Sequence, residues 1–105
     1  MLSNKKKLNT NDNISEYIYL VEKINVYNNE KIYKICKSKE NILNGIKNYD
    51  KEGRILIKIL CDDCESIYLK LIELFKNKYI FKKNTGKYYF KGNSNLMKKD
   101  IFNMV

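Results

Sequence analysis

Two short runs, Tyr17–Val21 and Lys31–Cys36, constrain this chain more than anything else in it. The first is dense in Tyr, Ile and Val and the second in Ile and Tyr. Side chains of this kind fit a pleated, half-buried surface, so the runs read as strands. The polar residues between them end in Asn28-Asn29-Glu30, a turn-forming cluster. The pair therefore reads as a β-hairpin. The intervening segment is too long for a two-residue turn, so either a loop joins the runs or the strands extend inward toward Asn28-Asn29. On this reading Tyr19 and Tyr33 present their hydroxyls on one sheet face. The plainer role for the same tyrosines is packing, with a buried ring and a wet tip.

The chain has 105 residues, enough for one compact domain, and 44% of them are hydrophobic, enough for a real core. No run of 18 apolar residues occurs, so no membrane span is expected. The N-terminus has no apolar stretch after its lysines, so no secretory signal is expected. Three cysteines, an odd number, fit a reducing, intracellular compartment. The formal charge is +9, and its placement is uneven. Residues 15–75 carry ten cations and ten carboxylates. Residues 76–105 carry eight lysines against Asp100 alone, a net of +7. A basic end on a neutral body points to a polyanion, most simply nucleic acid. The competing explanation is compositional: abundant lysine and asparagine, a single arginine (Arg54) and no proline are what AT-rich coding produces.

Residues 1–14 read as a flexible polar tail and residues 15–105 as the domain. After the hairpin, Ser38 is positioned to cap a helix whose apolar stripe is Ile42, Leu43, Ile46 and Tyr49. Gly45 inside it costs about 1 kcal/mol relative to Ala. Arg54–Leu60 is short and isoleucine-rich and reads as a central strand buried on both faces. Cys61-Asp62-Asp63-Cys64-Glu65 then opens a second helix. Asp62 and Glu65 form a pair like a capping box, and Cys64, Ile67, Tyr68, Leu71, Ile72 and Phe75 form a stripe reaching about Lys78. Tyr79-Ile80-Phe81 and Tyr88-Tyr89-Phe90 flank a Gly-containing turn. Ser94 is expected to cap a last helix whose apolar side is Leu96, Met97, Ile101 and Met104. The class is α/β (α+β): a small mixed sheet with an N-terminal hairpin and about three helices.

Several chemistries are disfavoured or excluded. Cys61 and Cys64 have CxxC spacing at a helix start, but two aspartates between the thiols oppose a thiolate. A capped helix start with small buried thiols is the simpler reading. A zinc site would need a fourth good ligand beyond Cys36, Cys61 and Cys64, and the chain has no histidine. The absence of histidine also removes Ser–His and Cys–His catalysis. No glycine-rich phosphate loop is present.

Ile18-Tyr19-Leu20-Val21, then Ile32-Tyr33-Lys34-Ile35-Cys36-Lys37-Ser38, then Ile59–Cys64 followed by Leu71–Lys76, then Thr85–Gly92, occur in an order and on elements that resemble the GIY-YIG nuclease superfamily, in the branch common among large DNA viruses and phages. The resemblance covers about Glu16 to Phe102. It implies a nuclease-like fold and an intracellular setting, the host cytoplasm or nucleus, or a virion. In that family a helix arginine stabilises the phosphate, a glutamate on the next helix holds a divalent metal, and a hairpin tyrosine helps activate water. Here the arginine's place falls at Asn44 or Gly45, the glutamate's at Tyr68, and the YIG glycine's at Cys36. Tyr19, Tyr33 and Lys34 are the remnants; Glu65, nearly one turn before Tyr68, is the nearest carboxylate for a shifted ligand.

The expectation is a domain that has lost cleavage, needs no cofactor, and binds nucleic acid through Lys82, Lys83, Lys87, Lys91, Lys98 and Lys99. Lysines grip phosphates but read bases poorly, so little sequence specificity is expected. One alternative is an active Mg²⁺-dependent endonuclease with relocated catalytic residues. Another is a protein-interaction or structural virion module, with a protein partner or a second copy of the chain.

Overall fold

A computed structural model describes residues 14–25, 28–41, 49–50, 53–84 and 87–105. The tail expectation for residues 1–13 and most of the first expected helix, residues 42–48, lie outside that set, as do Asn44 and Gly45. Six strands and two helices are present among the described residues: β1 (Ile14–Ile24), β2 (Lys31–Asn41), β3 (Tyr49–Asp50), β4 (Gly53–Leu60), α1 (Cys64–Lys78), β5 (Ile80–Asn84), β6 (Lys87–Lys91) and α2 (Ser94–Met104). The strands form one sheet in the order β3-β4-β1-β2-β6-β5. The α+β class holds, but each pairing is antiparallel, so the sheet is not mixed.

The hairpin takes the inward-extending form. β1 pairs with β2 along its whole length, from Ile14 opposite Asn41 to Ile24 opposite Lys31. Ile14 thus begins a strand instead of ending a tail. The loop closes on itself: the Asn25 N–H donates to the Glu30 carbonyl at 2.7 Å and the Asn29 N–H to the Asn25 carbonyl at 2.8 Å. Asn29 has φ +62°, the left-handed region that asparagine tolerates better than most residues.

The same pairing overturns one expectation. Ser38 does not cap a helix: it continues β2 opposite Tyr17, and Tyr49 lies in β3 opposite Arg54. Four consecutive backbone partners on β1 outweigh a local capping preference. β1, not β4, is the strand buried on both faces, with Ile18 to Val21 all inaccessible or nearly so. β4 lies one strand from the edge, beside the two-residue β3, and most of it is half-buried.

α1 buries Cys64, Leu71, Ile72 and Phe75, as its periodicity predicts. Its cap is Asp63, one residue later than the Asp62 pairing requires, and the Asp63 side chain makes no capping bond. Glu65 is therefore in the first turn but cannot complete a capping box. α2 is capped by Asn93, whose side chain accepts from the Asn95 and Leu96 N–H groups at 2.9 and 3.1 Å, so Ser94 is not the cap. Met97 and Ile101 are buried as expected, while Leu96 is exposed. Both helices cover one sheet face, where Ile18, Leu20, Tyr33, Ile35, Leu71, Phe75, Phe90, Met97 and Ile101 form the core. Neither is long and apolar enough to cross a membrane.

β4 is out of step with β1 between Leu20 and Val21: Leu20 faces Ile57 and Val21 faces Ile55, leaving Leu56 as the extra residue of a bulge. Close to it, Gly53 lies so near the backbone carbonyl of Glu22 that a Cβ would collide with that oxygen. The obstacle is backbone and cannot rotate away. Gly53→Ala is therefore expected to destabilise the fold by about 1–3 kcal/mol. A lowered denaturant midpoint at unchanged m-value measures this; an unchanged midpoint contradicts the close approach.

Candidate nucleic-acid interface

In an antiparallel ladder side chains alternate faces, so register decides which of them can meet. Tyr19 stands opposite Cys36 and Lys58, and Tyr33 opposite Glu22. Tyr19 and Glu22 are three residues apart on β1, so Tyr19 and Tyr33 occupy opposite faces. The expectation of a shared face fails on that parity. Tyr33 lies in the helix-covered core and its hydroxyl donates to Glu22 Oε2 at 3.5 Å. Lys34 stands opposite Val21, on the face of Tyr19.

Around Tyr19 the described neighbours form a satisfied cluster. The Lys58 side chain is 5% exposed, and its ammonium lies 4.9 Å from the Tyr17 ring centroid and 5.6 Å from that of Tyr19. The same ammonium donates to Glu40 Oε1 at 2.5 Å, and Ser38 Oγ donates to Glu40 Oε2 at 2.9 Å. A carboxylate is thus close to the tyrosines, but a lysine and a hydroxyl occupy it. An ion pair this dry holds only because each charge has its partner. Sequence reading missed both residues. The available signal was Lys58 itself, a cation among the isoleucines and leucines of Ile55–Leu60.

Tyr68, where the resemblance put the metal-holding glutamate, is half-buried beneath Lys37, whose ammonium is 5.5 Å from its ring centroid. Burial is the main cause pushing its hydroxyl above the ordinary value. Glu65 is bound to Lys37 at 3.0 Å, and that bond raises the lysine's own pKa. Among the described residues no three His, Cys, Asp or Glu side chains converge as a metal would require. Cys61 and Cys64 are buried and not bridged, and Cys64 Sγ donates to the Cys61 carbonyl at 3.7 Å. Burial first, then the contact with Cys61, pushes the Cys64 thiol up to about 12, which makes it inert at neutral pH.

At the basic end, two of the named lysines are held by one carboxylate. Glu30 Oε1 accepts from Lys82 at 2.8 Å and Glu30 Oε2 meets Lys91 at 2.7 Å. These two bonds hold the Glu30 carboxyl below its ordinary value. Asp100 takes Lys78 at 2.8 Å and accepts from the Tyr79 hydroxyl at 2.5 Å. Lys98 and Lys99 on α2 make no ion pair among the described residues. Lys83 and Lys87 fall at the turn end of the β5–β6 hairpin, with side chains outside the described set. An open cleft of about 630 Å³ beside the β1–β2 loop brings Glu30, Lys31, Tyr33 and Lys91 to one wall. The clamp by Glu30 was also missed: it joins residues 52 positions apart.

No family model, curated protein or solved structure matches the chain.

Two outcomes follow from this geometry. Glu40→Ala strands the Lys58 ammonium in a dry site and is expected to cost about 3 kcal/mol, measured by denaturation; a cost near zero would mean the pair is solvated. In the native protein, Cys61 and Cys64 are expected to resist a thiol reagent at pH 7 and to react on unfolding. Rapid labelling of both in the folded state would contradict their burial.

Proposed function

We propose that this chain is a GIY-YIG-like domain without cleavage activity, which binds nucleic acid through phosphate contacts with little sequence specificity. The observation that carries the reading is the charge imbalance of β5, β6 and α2. Eight lysines lie between residues 76 and 105, and the carboxylates paired with them among the described residues are Glu30 and Asp100 alone. Lysines without carboxylate partners among the described residues, such as Lys98 and Lys99, are available to a polyanion. Loss of cleavage is supported by the separation of Tyr19 from Tyr33 and by the occupation of Glu40 and Glu65 by lysines. A second reading, self-association, has its support in Phe102, 70% exposed one turn before the exposed Val105. Sedimentation of a stable oligomer with no nucleic-acid affinity would select it.

Phosphate binding driven by counterion release weakens steeply as salt rises. A mobility shift at low salt that fades with added salt, with no change in the length of the nucleic acid in Mg²⁺, is the expected result. Absence of binding at low salt, or binding indifferent to salt, contradicts the proposal.

Glu30 supplies a sharper test. Its lowered pKa means the carboxylate stays charged, and the clamp stays closed, above the ordinary glutamate range. The clamp opens as pH falls through the lowered value. Glu30→Gln is expected to release Lys82 and Lys91 at neutral pH, tightening binding by roughly tenfold at low salt and steepening the salt dependence by about one to two phosphate contacts. Acidification should erase the difference from wild type, because protonated Glu30 releases the same lysines. Unchanged or weaker binding by the variant at neutral pH would remove Lys82 and Lys91 from the interface.

A further inference from the structure

The aromatic residues of the C-terminal half form a continuous ladder that leaves the core. Phe75 and Phe90, both fully buried, meet edge to face with centroids 5.3 Å apart. Phe90 lies 5.6 Å from Phe81, and Phe81 lies 5.5 Å from Tyr88. The last two rings emerge from the surface, Phe81 at 38% and Tyr88 at 40% exposure. Their mutual tilt is 36°, and Phe81 is tilted 34° from Phe90, so the pair is closer to stacked than the edge-on contacts deeper in the core. Strand register explains the placement: Phe81 stands opposite Phe90, and Tyr88 lies two residues from Phe90 on β6, so the three rings project from one side of the β5–β6 pair.

A cation completes the surface. Lys76, near the end of α1, sets its ammonium 4.8 Å from the Tyr88 centroid and 5.4 Å from that of Phe81. It makes no ion pair among the described residues, so its charge is available to an incoming anion. Exposed rings bracketed by a lysine without a carboxylate partner match one ligand chemistry well. An unpaired base has a face to stack on a ring, and the adjoining phosphate has a charge for the ammonium. Paired bases in a duplex keep their faces inside the stack and offer only the phosphate.

We infer that Phe81 and Tyr88 form a stacking platform for single-stranded nucleic acid, with Lys76 holding the phosphate beside the stacked base. This rests on the phosphate-binding reading above and adds to it the class of strand. Base stacking tolerates any base, which agrees with low sequence specificity.

The test compares the full chain's binding to a labelled single strand of about 15 nucleotides, as DNA and as RNA, with binding to the duplex of the same sequence. Single strands are expected to bind more tightly than duplex. Phe81→Ala and Tyr88→Ala should each weaken single-strand binding by about tenfold and leave duplex binding within about twofold. Tyr88→Phe, which keeps the ring, should bind as wild type does. A melting curve for each variant separates lost binding from lost folding, and Lys76→Gln, which leaves both rings in place, should weaken both ligands modestly. The chain has no tryptophan, so Tyr88→Trp introduces a single indole, which can be excited selectively over the remaining tyrosines and whose emission should be quenched by the single strand alone. Whichever of DNA and RNA binds more tightly identifies the sugar. Equal affinity for strand and duplex, or a Tyr88→Ala variant that folds and binds single strands normally, overturns the platform while leaving phosphate binding intact. Failure of both ligands to bind at low salt overturns the underlying reading as well.

Discussion

The eleven-residue pairing of β1 with β2 is the constraint from which the rest of the molecule follows. A ladder of that length admits no local slip, because moving one residue would carry each side chain of β1 to the other face. It fixes Ile18 and Leu20 beneath α1 and fixes Tyr17 and Tyr19 on the reverse, under Lys58. The two hairpin tyrosines, Tyr19 and Tyr33, are thereby divided by the sheet. The division is structural and not conformational: no side-chain rotation brings Tyr33 through the backbone to Tyr19.

The charged groups sort along the same lines. Where a lysine sits over the body of the sheet, a carboxylate or a ring answers it, as Glu40 answers Lys58 and Glu65 answers Lys37. The exposed Lys37–Glu65 pair contributes little stability, unlike the dry Lys58–Glu40 pair, but each removes a cation from the field that a polyanion would meet. The field that survives lies at the C-terminal end, where Glu30 and Asp100 are outnumbered. Rings there take over part of the role of counterions, and Lys76 rests on two of them. A surface that presents aromatic faces and ammonium groups together is suited to flexible, unpaired strands more than to a smooth duplex.

What sequence made legible was local and periodic. The β-rich runs became β1 and β2, the stripe from Cys64 to Phe75 became the buried face of α1, and Ile80-Phe81 and Tyr88-Tyr89-Phe90 fell in β5 and β6, with Tyr79 ending α1 instead. What it hid was long-range. Ser38-Lys39-Glu40-Asn41 carries a plausible helix start, yet Tyr17, Glu16, Ser15 and Ile14 offer it four backbone partners, and the strand continues. The cap of α2 moved from Ser94 to Asn93, since both residue types can accept the free N–H groups and only geometry chooses between them. The attachment of Lys82 and Lys91 to Glu30 could not be read at all, because nothing local links a loop glutamate to strands more than 50 positions later.

On the proposed function, the basic, aromatic end of the molecule engages nucleic acid and the Tyr19 side does not process it. Amide shift mapping of isotope-labelled protein, titrated with a single-stranded oligonucleotide in the presence of Mg²⁺, addresses both halves at once. The account predicts perturbations concentrated on β5, β6 and the Lys76 turn of α1, with the oligonucleotide intact at the end. Perturbations concentrated around Tyr19, Lys58 and Glu40, accompanied by strand scission, would contradict it.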